Sequence, residues 1–178
     1  TVSSISGGNS NNYLITNGDG QVVVENLDEV RGIITIPIGT ESSYNPISIQ
    51  NSGVADTFSV NVSNGIANTN SGAVDVTWNI FEGTAGGSDV NVTFSWNQAN
   101  ESNLFNRNEA GVGHFYDNAW HAEPSSSVTG TNPYSITAQG VTSFSPFGVL
   151  NTNALGVDFS SLNEVKIYPN PAQDYVMI

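Results

Sequence analysis

The chain has 178 residues, enough for one hydrophobic core or for one domain plus a tail. Sixteen Asp/Glu against three Lys/Arg give a net charge of −13, with no basic stripe to neutralise phosphates, so nucleic acid and anionic membrane are disfavoured as partners. There is no cysteine, which excludes disulfides, thiolate metal sites and Cys nucleophiles.

No apolar run reaches the roughly eighteen residues of a membrane span. No charged-then-apolar leader stands at the start, so a secreted form would have Thr1 as a processed or trimmed end. Asn, Ser, Thr, Gly and Val are abundant and helix-forming stretches scarce, the composition of extracellular β proteins. Apolar residues recur at period two, which predicts strands throughout.

In chain order, the first strands are expected near Tyr13 to Thr16 and Gln21 to Glu25, joined as a hairpin by Asn17-Gly18-Asp19-Gly20. A third runs from Gly32 to Ile38, and a fourth from Tyr44 to Gln50 with Pro46 at an edge or bend. After a turn at Asn51-Ser52-Gly53, Asp56 to Val62 forms a fifth. The strongest alternation is Val74, Val76, Trp78, Ile80, then Val90, Val92, Phe94, Trp96 beyond a Gly83 to Ser88 loop. It reads as a hairpin at the centre of the core. Asn97 to Arg107 is a long connection. A further hairpin turns at Asp117-Asn118 between Ala110 to Tyr116 and Ala119 to Glu123. Ser125 to Asn132 reads as a loop, and Tyr134 to Ala138 and Val141 to Leu150 as the last strands. About ten short strands predict an all-β, antiparallel two-sheet β-sandwich, immunoglobulin-like or jelly-roll in topology, with a short extended tail. The expected divisions are a body over 1–150, a linker over 151–162 and a tail over 163–178.

That tail carries the most specific motif. Lys166-Ile167-Tyr168-Pro169-Asn170-Pro171, followed by Asp174, Val176 and Ile178, resembles the start of the C-terminal sorting domain of type IX secretion cargo from Bacteroidetes. The body is similar to an adhesin-like domain found ahead of such sorting domains. The matching pieces are Asn11 to Gly18, Ile36 to Thr40, Tyr44 to Pro46, Thr77 to Ile80, Gly86 to Ser88, Trp96-Asn97, Glu101, Phe105 to Arg107 and Phe144 to Phe147. The resemblance implies export by the type IX secretion machinery and display at the cell surface. It implies no active site. Compared with that family, the sorting domain stops after its second strand. An isolated hairpin is marginal in water. Val165, Ile167, Val176 and Ile178 are therefore expected to pack on the body or to add as a strand to another copy, the latter giving a head-to-tail filament.

Few residues offer chemistry. His114 and His121, near Asp117 and Glu123, match no metal spacing and read as structural. Glu101 and Arg107 read as a structural clamp pinning the long connection, with a carbohydrate-gripping pair beside Trp96 and Phe105 as the functional alternative. Asp19, Asp28, Glu29, Asp56, Asp75, Asp89 and Asp117 lie in or beside turns, where secreted sandwiches can take Ca²⁺. No cofactor or metal ligand set is otherwise expected, and no catalytic triad, GxSxG or phosphate-cradling loop is present. Among the tryptophans, Trp120 is the one expected to be exposed and to contact a glycan. The expectation is thus a secreted, non-enzymatic adhesin or structural module, with a carbohydrate-binding or accessory module as the alternative.

Overall fold

A computed structural model describes residues 5–16, 19–69 and 72–152. The strands are β1 (Leu14–Ile15), β2 (Val22–Leu27), β3 (Ile34–Ile36), β4 (Ile38–Gly39), β5 (Ile47–Asn51), β6 (Asp56–Asn64), β7 (Val76–Glu82), β8 (Val90–Trp96), β9 (Ala110–Tyr116), β10 (Ala119–Glu123), β11 (Thr129–Gly130), β12 (Tyr134–Val141) and β13 (Pro146–Asn151). They form a six-stranded sheet, β10-β9-β13-β7-β6-β2, and a five-stranded sheet, β11-β12-β8-β5-β3, both antiparallel. A parallel pair, β1 with β4, lies outside them. Among the described residues no helix is long and apolar enough to cross a membrane.

Period-two patterning puts one face of each strand inward. Phe58, Val60 and Val62 of β6, Trp78 and Ile80 of β7, and Val92, Phe94 and Trp96 of β8 are all buried. Trp78 meets Phe94 edge to face at 5.2 Å, and Phe94 meets Phe147 of β13 at 5.7 Å. Each fully buried Val, Ile or Phe side chain here is worth roughly 1.5–3 kcal/mol of transfer free energy. The indole N–H of Trp78 donates to the carbonyl of Asn45 at 3.1 Å, which removes the cost of burying it.

The central alternating pair is not a hairpin. β7 pairs with β6 and β13 in one sheet, and β8 with β5 and β12 in the other. The chain between them arches across the sandwich, so Trp78 and Phe94 face each other through the core instead of lying side by side. The β5-to-β6 link is a second arch lying against the first. Ser52 N–H donates to the Asp89 carbonyl and Val54 N–H to the Gly87 carbonyl, both at 2.8 Å. Gly53 is needed there, since a Cβ would sit 2.2 Å from the Gly87 carbonyl oxygen. The fully buried Asn51 side chain ties both arches together. Its amide donates to the carbonyls of Leu27 (3.0 Å) and Val54 (2.8 Å), and its oxygen accepts from the N–H groups of Gly53 (2.9 Å) and Asp89 (3.2 Å).

The expected first hairpin is also absent. Leu14 pairs with Ile38, and Val22 with Val60, so β1 and β2 go to different partners. The strand expected over 32–38 is two strands. Pro37 has no N–H to donate and separates β3, which stays in the five-stranded sheet, from β4, which leaves it for β1. The region expected as the last two consecutive strands divides between sheets. β12 runs on through a bulge to Val141, and β13 starts at Pro146 in the other sheet. By contrast, β9 and β10 form the expected hairpin, with Asp117 (φ 49°) and Asn118 (φ 61°) both left-handed at its two-residue turn.

Asn151 and Thr152 belong to the body. The Asn151 amide donates to the Leu104 carbonyl at 3.0 Å, and Thr152 N–H donates to the Glu109 carbonyl at 3.0 Å. The tail residues Val165, Lys166, Ile167, Tyr168, Pro169, Asn170, Pro171, Asp174, Val176 and Ile178 lie outside the described residues.

Candidate functional site

The connection from β8 to β9 positions a charged pair, Glu101 and Arg107, on the sandwich. It opens with a 3₁₀ turn, Gln98–Asn100. Asn100 anchors that turn, its side-chain oxygen accepting from Ser43 Oγ at 2.7 Å and from the Asn45 amide at 3.3 Å. Glu101 follows at once. Trp96, the last residue of β8, is fully buried, so its indole N–H needs an acceptor. Glu101 Oε1 supplies it at 2.8 Å.

The same carboxylate receives Arg107. Nε donates to Oε1 and Nη2 to Oε2, both at 2.7 Å, the bidentate fork that a guanidinium matches to a carboxylate. The guanidinium carbon lies 3.8 Å from the centre of the Tyr134 ring. Trp96 packs against Phe105 and Tyr134, each at 6.1 Å between ring centres. The hydrogen bonding that Arg107 donates to Glu101 is the largest cause raising the Arg107 pKa above its ordinary value. The geometry is that of a clamp holding 97–107 over the sheet, and the structure brings Trp96, Phe105 and Tyr134 to it.

Beside the clamp lies a polar groove of about 770 Å³. Arg107, Tyr134, Ser125, Ser126 and Ser127 line it. The small residues Ala110, Gly111 and Ala122 also line it. Ser126 is held in place by the backbone: its N–H donates to the Thr137 carbonyl at 2.9 Å and its hydroxyl accepts from the Thr137 N–H at 3.1 Å. In the sequence, Ser125 to Asn132 reads only as a loop. The Pro124-Ser125-Ser126-Ser127 run was the available signal, a polar stretch beside strand ends.

His114 and His121 are opposite one another on β9 and β10. His114 is buried, stacks on Phe147 with ring centres 4.4 Å apart, and its Nδ1 lies 2.9 Å from Glu123 Oε1. His121 stacks on Tyr116 at 3.9 Å. Both Nε2 atoms are buried without a hydrogen-bond partner among the described residues. Among the described residues, no group of three or more His, Asp or Glu side chains is placed to hold a metal. Some turn carboxylates have backbone roles. Asp28 accepts from Arg31 N–H at 2.8 Å, and Asp56 from the N–H groups of Thr57 (2.7 Å) and Thr84 (2.9 Å).

Trp120 is a correction. It is buried, only 8% exposed, and offers no stacking face for a glycan. It sits on the outer side of the six-stranded sheet in a small second core with Ala73 and Leu150. Its indole N–H donates to the Ala67 carbonyl at 2.8 Å. The space comes from glycines on the neighbouring strands. A Cβ at Gly113 would lie 3.0 Å from the Trp120 ring and one at Gly148 3.2 Å. Ile66 packs against this second core and the Ala67 carbonyl takes the Trp120 N–H, long-range contacts invisible in local patterning. Comparison of the chain with protein-family models, curated proteins and solved structures found no match.

Proposed function

We propose that this chain is a secreted, surface-displayed adhesin or structural module, in which copies join by donating the C-terminal segment to a neighbour. The observation that carries the reading is an apolar cleft of about 380 Å³ at the open side of the sandwich, where the edge strands β2 and β3 come together. Ile5, Leu14, Val22, Val24 and Ile34 line it. Val23, also in its lining, is 50% exposed, and Ile33, next to Ile34 in the chain, is 63% exposed. An apolar edge that no described residue covers is a liability that proteins ordinarily blunt, and a strand added there both covers the apolar surface and pairs the edge.

The C-terminal segment has the matching chemistry. Val165, Ile167, Val176 and Ile178 alternate as a strand requires. With Glu164, Asp174 and Lys166, that segment contributes only one of the thirteen net negative charges. It therefore approaches an acidic neighbour with little repulsion. The likeness of 166–178 to a type IX sorting signal supports export to the surface. A donated strand seats the same segment in a heterologous, non-closing contact, which propagates.

The test is assembly of the full chain, measured by sedimentation velocity and negative-stain microscopy. The expected result is concentration-dependent head-to-tail polymer, lost in the Ile167→Asp/Val176→Asp double variant. A monomeric wild type, or polymers unchanged in the double variant, overturns strand donation.

A further inference from the structure

We infer that the groove beside Arg107 and Tyr134 is a binding site for a neutral saccharide. It lies at the β10 and β11 edges of the two sheets, across the sandwich from the β2 and β3 cleft, so it is independent of self-association. Its volume, about 770 Å³, falls in the range of small-ligand sites. The walls are built and not improvised: Arg107 is fixed by Glu101 and Tyr134, and Ser126 by the Thr137 backbone.

The lining selects the ligand class. The cation at the groove, Arg107, is already paired with Glu101, and the Glu123 carboxylate is held by a hydrogen-bond contact with His114. Among the described residues lining the groove, no other cation is present to recruit a phosphate, sulfate or carboxylate, and the surrounding net charge of −13 opposes an anion. Neutral hydrogen-bonding groups remain. The side-chain amides of Asn108 and Gln139 and the Ser127 hydroxyl line the groove and make no hydrogen bond among the described residues. Amides both donate and accept, as a ring of sugar hydroxyls requires. Arg107 uses only Nε and one Nη2 hydrogen on Glu101, so further N–H donors stay available at a fixed position. A hydroxyl-rich ligand of about one or two sugar rings matches that inventory and the volume.

The experiment uses the full chain on an array of neutral, sialylated and sulfated glycans, followed by calorimetry with the best neutral hit. Saturable binding to a neutral glycan is expected. The exposed-residue double variant Asn108→Ala/Gln139→Ala should weaken it at least tenfold with unchanged thermal stability. The tail variant Ile167→Asp/Val176→Asp should bind as wild type, which separates this site from the assembly reading. Binding to no neutral glycan, binding to acidic glycans alone, or affinity unchanged in the Asn108/Gln139 double variant overturns the inference.

Discussion

Arg107 holds Glu101 through two parallel hydrogen bonds of 2.7 Å each, while the opposite face of the cluster is closed by Tyr134. Glu101 is thereby shared between a cation and the indole of a fully buried tryptophan. Replacing Arg107 leaves a mostly buried carboxylate without its counter-ion. Arg107→Lys keeps the charge but loses the fork and the flat stacking surface. Its loss of thermal stability should therefore be more than half that of Arg107→Ala. Thermal unfolding monitored by tryptophan fluorescence checks this, and a lysine variant as stable as wild type would reduce the clamp to a simple charge contact.

Asn51 makes four hydrogen bonds from a fully buried position, two donated and two accepted. Asn51→Ala strands two carbonyls and two N–H groups between the arches. At about 1 kcal/mol per net hydrogen bond, with more where a group stays dry, the expected loss is roughly 3 kcal/mol or greater. Asn51→Asp should be at least as damaging, because a carboxylate would face the Leu27 and Val54 carbonyls. Urea unfolding of both variants measures the difference.

Trp120 fills the outer core beside Ile66 and Ala67. Trp120→Ala is expected to cost about 3–5 kcal/mol, the range for deleting a large buried aromatic. Trp120→Phe keeps most of the packing and loses the N–H donated to Ala67, so about 1 kcal/mol is expected from the hydrogen bond. The informative comparison is glycan binding by the phenylalanine variant, which should match wild type, because Trp120 does not line the proposed groove.

Much of the architecture was legible one residue at a time. Alternation at period two located most strands, and Asp117-Asn118 marked the β9–β10 turn because both residues tolerate positive φ. Glu101 and Arg107 were recognisable as partners because ionisable residues are scarce there and six positions separate them. Trp120 was misread, since its strand neighbours are small and polar and Ala67, which accepts its N–H, comes from more than fifty residues away. The groove could not be assembled from sequence either. Its walls come from 107–108, 125–128 and 139, which meet only after both sheets have formed.

What the sequence by itself determined is the class: an acidic, cysteine-free, all-β chain whose alternating strands must bury one face. Side-chain alternation is a local property of the extended backbone and survives any arrangement of strands. What only the tertiary structure decided is which strands share a sheet. A hairpin and an arch carry the same one-dimensional pattern, so Val74 to Ile80 and Val90 to Trp96 read alike in either. The choice rests on long-range contacts, above all Asn51 binding the Asp89 backbone across 38 residues, and these send β7 and β8 to opposite sides of one core.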